Sequence, residues 1–236
     1  MNKILVLGDS HTHVLKRAKK LSNNQDWKNN FSINTFSKQK NGKTVGDVTL
    51  DEAKTAAAML DASDLLVSMV GGNQYNSLGL IQHPTPFDVA VGSYDDKCEL
   101  IPYSLLYKTF YVGMKGNDFQ RITYIIRSCR SRIIHIPAPP PKEDEEHILT
   151  KPESDFVKNG IATFGVTPAR TRLKLWEMQM TVSKDLCHEI GIEFINYPDF
   201  AINERGFLKE EFYGSDATHA NDKCGEQVLA FIQKLS

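Results

Sequence analysis

Three short polar clusters in this chain hold the residue types needed for acyl chemistry. They are Gly8-Asp9-Ser10-His11 near the N-terminus, Gly71-Gly72-Asn73, and Asp216-Ala217-Thr218-His219 near the C-terminus. A serine hydroxyl is too weak an acid to attack an ester unaided. It needs an imidazole within hydrogen-bond reach, held in one tautomer by a carboxylate. Asp216 and His219 can supply both, because three positions apart in a tight turn the carboxylate reaches Nδ1 while Nε2 points outward toward Ser10. The developing oxyanion would need preorganised donors, and the candidates are the Ser10 backbone N–H, a glycine N–H, taken as Gly46, and the Asn73 side-chain amide. Each cluster also has a plainer reading. A serine ahead of a helix is commonly an N-cap, a glycine pair marks a turn, and Asp216 and His219 can be a surface or capping aspartate and a satisfied polar residue at a helix start.

Asp9, His11 and His83 are further candidates for contact with a substrate. His11, next to Ser10 in sequence, is expected to point away from it and is a poor choice of base. His83 and Phe87 lie in a segment stiffened by Pro84 and Pro86, where a loop would pass over the site; the plainer reading is a rigid loop with a surface histidine. Asp9, His11 and His13 lack a metal-ligand spacing, and no metal or cofactor is expected. The four cysteines are far apart, with no C-x-x-C, and read as reduced thiols. Cys187 and His188 are neighbours on a helix and would not face one substrate.

The elements that must position these residues follow from periodicity. Residues 3–7 are a short β-branched apolar run ending at Gly8, the pattern of a strand buried on both faces, and residues 12–21 repeat apolar positions at helical spacing. Further strands are expected at 32–36, 64–70, 132–136 and 192–195. Helices are expected at 50–60, 103–130 with an interruption near 113–116, 170–190 closed by Gly191, and 223–235. Residues 142–146 read as a solvated acidic loop that opens an excursion from the core. Alternating strand and helix with buried strands predicts a three-layer α/β/α sandwich around a parallel sheet. In such sheets ligands bind beyond the carboxyl ends of the strands, where all three polar clusters fall.

Composition narrows the function. The chain has 236 residues, 41% of them hydrophobic, enough for one sizeable core. With 28 Lys and Arg against 29 Asp and Glu, the net charge of -1 offers no footprint for nucleic acid or an anionic membrane. No segment has the length of a signal-peptide core or a membrane span, so a cytoplasmic location is expected. Neither G-x-G-x-x-G nor a G-x-x-x-x-G-K-[ST] phosphate loop is present, which argues against nucleotide binding.

Taken in order, these residues resemble the SGNH, or GDSL, hydrolases. Gly8-Asp9-Ser10 is similar to that family's first block, Gly46-Asp47-Val48-Thr49 to its glycine block with Gly42 as the alternative donor, Gly71-Gly72-Asn73 to the third and Asp216-Ala217-Thr218-His219 to the last. Gln74 stands where family members commonly have Asp. The resemblance frames nearly the whole chain and implies one flavodoxin-like domain over 1–236, enlarged by insertions at about 76–130 and 142–168. It further implies a serine esterase working through Ser10, His219 and Asp216 and an acyl-enzyme, with a small-molecule or glycan ester as substrate. Acyl transfer to an alcohol, carbohydrate O-acetyl ester cleavage, and a non-catalytic binding module on the same fold are the alternatives.

Overall fold

The computed structural model describes residues 2–40 and 42–236. In chain order the strands are β1 (Ile4–Gly8), β2 (Phe31–Thr35), β3 (Lys38–Lys40), β4 (Lys43–Val45), β5 (Leu65–Met69), β6 (Phe87–Val89), β7 (Glu99–Ile101), β8 (Arg132–His135) and β9 (Glu193–Phe194). The first six helices are α1 (Thr12–Leu21), α2 (Gln25–Asn30), α3 (Leu50–Ala58), α4 (Gln74–Gly79), α5 (Tyr103–Met114) and α6 (Gln120–Ile126). The rest are α7 (Glu145–Thr150), α8 (Ser154–Lys158), α9 (Ile161–Phe164), α10 (Ala169–Ile190) and α11 (Asp222–Leu235). The main sheet runs β2-β1-β5-β8-β9, every pair parallel, while β3 and β4 form a small antiparallel ribbon and β6 and β7 a small parallel one.

Alternation along β1 divides the core into two layers. Ile4 and Val6 face α1 and α11, where they meet Leu15, Val228 and Leu229. Leu5 and Leu7 face α3, α5, α6 and α10, packing with Ala57, Phe110, Ile122 and Val182. All five β1 residues are buried, which is why the run carries no polar alternation. The expected three-layer α/β/α sandwich is therefore the observed architecture.

The boundaries follow local chemistry. Thr49 and Glu52 form a capping box that starts α3, and Gly191 ends α10 with φ of 72°. The interruption expected near 113–116 is a π-helical turn, Lys115–Phe119, joining α5 to α6. The fifth sheet strand is only two residues long, shorter than expected. Residues 25–30 form α2 because Asn24 caps it through bonds to the N–H groups of Asp26 and Trp27; with Trp27 its one buried residue, it has no apolar period to read.

Of the solvated loop expected at 142–146, Asp144, Glu145 and Glu146 are exposed, but Lys142 requires correction. Lys142 is only 2% exposed, and its ammonium donates to the carbonyl oxygens of Gly214 and Asp216. Its own carbonyl accepts from Arg172, which lies buried on α10 and also donates to the carbonyls of Thr167 and Glu143. Backbone carbonyls satisfy both cations, so their burial is tolerated. Beyond them, α7 to α9 contribute Ile148 and Ile161 to a small cluster closed by Leu80 and Ala217. No helix among the described residues is long and apolar enough to cross a membrane. Cys187 and Cys224 are buried, Cys98 and Cys129 partly so, and all four thiols are free.

Two predictions arise from this packing. A Cβ at Gly225 of α11 would lie 2.8 Å from both the Val14 side chain and the Val14 carbonyl of α1. Gly225→Ala gains about 1 kcal/mol of helix propensity, but it overpacks against immovable backbone at a cost of about 1–3 kcal/mol. Net destabilisation is expected, read as a lower urea midpoint. Separately, His135 is buried beside Ser68 with its ring between Phe119 and Phe194, and burial pushes its pKa from 6.5 down to about 4. Below pH 6.5 the unfolded chain takes up a proton that the native chain does not, so stability falls as pH drops toward 4. The loss from this group is on the order of 2–3 kcal/mol. Urea unfolding from pH 7 to 4 should show a shallower decline in His135→Asn than in the parent.

Candidate active site

Ser10 sits in the turn between β1 and α1. A Cβ on Gly8 would lie 2.5 Å from the Met69 carbonyl oxygen, so only glycine lets the end of β1 press this close to β5. The N-cap position of α1 belongs to His11, whose side chain caps nothing. The Ser10 hydroxyl is thus not used as a helix cap. At the other end of the chain, α11 is capped by Asn221, which accepts from the Cys224 N–H. Asp216 and His219 are likewise not consumed by capping.

These two helix entries lie side by side, and three side chains meet between them. His219 Nε2 is 2.9 Å from Ser10 Oγ, and His219 Nδ1 is 2.9 Å from Asp216 Oδ2. The other Asp216 oxygen accepts the backbone N–H groups of His219 at 2.8 Å and Thr218 at 3.2 Å, closing the turn on itself. Burial alone would raise the Asp216 pKa, but the bonds from His219 hold it far below the ordinary carboxylate value. Asp216 is therefore anionic throughout the neutral range and fixes Nδ1 as the protonated nitrogen. Nε2 is left as the lone-pair atom facing Ser10.

His11 lies behind this unit, its ring centroid 4.9 Å from that of His219. Burial, followed by the neighbouring His219, depresses its pKa to about 3. It is neutral at working pH and places no like charge against an imidazolium at His219.

Asp9 does not face open space. It receives two bonds of 2.9 Å from Arg121 on α6 and one of 2.8 Å from the Gly71 N–H. Burial opposes its ionisation, and the Arg121 and Gly71 bonds outweigh that and lower its pKa. Asp9 thus ties the Ser10 turn to the Gly71-Gly72-Asn73 loop. That loop needs its glycines, since Gly72 has φ of 98° and a Cβ there would stand 2.5 Å from Ala138 Cβ. Asn73 is held by Asn76, whose Nδ2 donates to Asn73 Oδ1 at 3.2 Å. The Asn73 Nδ2 donor has no protein acceptor among the described residues.

Gly46 lies beside the carboxyl end of β2. Its neighbour Asp47 accepts from the Thr35 N–H at 2.7 Å and pairs with Lys16, and Asp47 N–H donates to the Thr35 carbonyl at 2.8 Å. The adjoining Phe36 N–H donates to the Gly8 carbonyl at 2.9 Å, which links this loop to the Ser10 turn. Gly42 lies in the bend between β3 and β4 and makes none of these links. His83 is exposed, and its Nδ1 is engaged within its own loop by the Thr85 backbone.

An open cleft of about 480 Å³ reaches Ser10 and His219 from the side of α1 and the α11 entry. His13, Arg17, Tyr213 and Ser215 line it, with Arg17 paired to Asp222 at 2.6 Å. Gly46 and Asn73 come from the loops after β4 and β5 and are not part of its wall.

Residues that sequence reasoning missed come from the long connections. Arg121 reaches Asp9 from 112 positions away. Glu153, just ahead of α8, places Oε1 3.6 Å from His219 Nδ1. Neither stands in a recognisable motif. Glu153, Asp216 and His219 are the one group of His, Cys, Asp and Glu among the described residues whose donor atoms all lie within 4.8 Å of one another. Each of those atoms is engaged in a hydrogen bond with the protein.

Comparison with solved structures finds similar chains. A GDSL-like lipase from Bacteroides thetaiotaomicron VPI-5482 is 14% identical, aligned over 99% of this chain and 87% of its own, with a TM-score of 0.52. A carbohydrate acetylesterase family member from Sinorhizobium meliloti, 14% identical, aligns over 99% of this chain and 100% of its own with a TM-score of 0.46. The aryl esterase of M. smegmatis, 12% identical, aligns over 100% and 98% with a TM-score of 0.48. No protein-family model and no curated protein matches the sequence. At such identities the likeness is one of fold. By its likeness to the lipase and its strand order β2-β1-β5-β8-β9, the chain has the three-layer fold of the SGNH (GDSL) hydrolases.

Proposed function

We propose that the chain is a serine esterase in which Ser10 is the nucleophile, His219 the general base and Asp216 its orienting carboxylate. The observation that carries this reading is the unbroken hydrogen-bonded series Asp216–His219–Ser10, with both bonds at 2.9 Å. His219 Nε2 accepts the Ser10 proton as Oγ attacks the ester carbonyl, and the resulting imidazolium is stabilised by the ionised Asp216. The Ser10 N–H, the Gly46 N–H and Asn73 Nδ2 donate to the oxyanion. Support for these roles is that neither backbone N–H has an acceptor within the protein among the described residues, and that the Asn73 amide is already oriented by Asn76.

Collapse of the tetrahedral adduct expels the alcohol, which takes the proton from His219. Water then enters, gives a proton to Nε2 and attacks the acyl-Ser10 carbonyl, and the second adduct collapses to the acid as Nε2 returns that proton to Ser10 Oγ. The substrate is a small-molecule or glycan ester that reaches Ser10 through the open cleft.

Hydrolysis of p-nitrophenyl acetate tests the assignment. Ser10→Ala should lower kcat/KM by about 10⁴-fold or more, whereas Asn73→Ala should cost about 10²–10³-fold. Equal turnover by Ser10→Ala and the parent would remove Ser10 from the reaction.

A further inference from the structure

We propose that Glu153 is a positioning residue of this site, a second carboxylate that holds the 216–219 turn and faces the Nδ1 edge of His219 beside Asp216. The inference rests on the roles just given to Ser10, Asp216 and His219.

Glu153 grips the turn at two consecutive residues. Its Oε2 accepts the Ala217 N–H at 3.3 Å, and its Oε1 accepts the Thr218 hydroxyl. Oε1 then stands 3.6 Å from His219 Nδ1, with the Thr218 hydroxyl 3.4 Å from the same nitrogen. The Nδ1 edge therefore meets three oxygens, of which two belong to carboxylates. From the same connection Lys142 donates to the Asp216 and Gly214 carbonyls, and His147 Nε2 lies 2.9 Å from the latter. Residues 142–153 hold the turn from both sides, with donors on its carbonyls and acceptors on its N–H and hydroxyl.

A glutamate used only to fasten a turn would have no reason to aim its charge at the imidazole. Two carboxylates close together repel one another, and that arrangement is stable where a cation lies between or behind them. Lys142 is the resident cation behind the turn; His219 becomes the second when it takes the Ser10 proton. The charged and titratable groups facing the imidazole are His11 and His13 from the α1 side, Asp216 in its own turn, Glu153 ahead of α8 and Lys142 behind. Among them only Asp216 and Glu153 carry negative charge.

The test is a pH titration of the histidine ring signals of the full-length protein by ¹H–¹³C NMR, with the His219 signal identified by its loss in His219→Gln. Glu153→Gln keeps the shape and an acceptor for Thr218 but removes the charge; Glu153→Ala removes both. Loss of a negative charge disfavours the imidazolium, so in both variants the His219 midpoint should move down by about one pH unit relative to the parent. The acid limb of the kcat/KM profile should move with it. A midpoint within about 0.2 unit of the parent in both variants would overturn the proposal, and so would a shift in Glu153→Ala that Glu153→Gln fully reverses. The titration needs no turnover. If the midpoint moves while the parent hydrolyses no ester, the esterase reading fails and the placement of Glu153 stands; if the parent hydrolyses esters and the midpoint is fixed, only the Glu153 inference fails.

Discussion

The site depends on one constraint: Ser10 and His219, 209 positions apart, must arrive at a hydrogen-bonding distance of 2.9 Å. A hydrogen bond adds only about 1 kcal/mol, less than the entropy of ordering the two turns that carry it. The register is set instead by α1 lying against α11. Each helix begins just beyond one of the two residues, and Gly225 allows the backbones to approach at Val14. Ala18 of α1 and Val228, Leu229 and Ile232 of α11 then bury both helices on the same face of the sheet. Apolar burial, non-directional by itself, becomes a positioning device because the helices are rigid and the turns ahead of them are short.

Electrostatics complete what packing begins. Asp216 is kept ionised by the imidazole it orients, while His11, close enough to oppose a charge on His219, is kept neutral by burial. Arg121 pairs with both Asp9 and Asp118 where the Ser10 turn meets the Gly71 loop. In the proposed reaction, proton transfer from Ser10 would create a single new cation, in surroundings already arranged for it. Preorganisation of this kind avoids solvent rearrangement during the reaction.

Much of this was legible in the sequence, for physical reasons. The β1 run, Gly8 and the periodic apolar face of α1 are local signals, and they place Ser10 just beyond the carboxyl end of a strand without reference to the rest of the chain. Asp216 and His219 close one turn, so their spacing alone carries their geometry. Arg121, Lys142, Glu153 and Arg172 were not legible, because each acts through contacts distant in sequence. Charged side chains also read as solvent-facing until the carbonyls that satisfy them are known. Lys142 shows this most clearly: it begins an acidic run that looks solvated, yet its ammonium is buried against Gly214 and Asp216. The short α2 escaped for the opposite reason, since a helix with one buried residue has no period.

Everything proposed for this site turns on Ser10 being a nucleophile activated by His219. Intact-mass and peptide mass spectrometry after brief treatment with a fluorophosphonate tests it most directly. One adduct per folded chain is expected, located on Ser10, and none in His219→Ala over the same interval. A folded parent protein that takes no adduct, or one whose adduct forms at another serine or persists unchanged in His219→Ala, would contradict it.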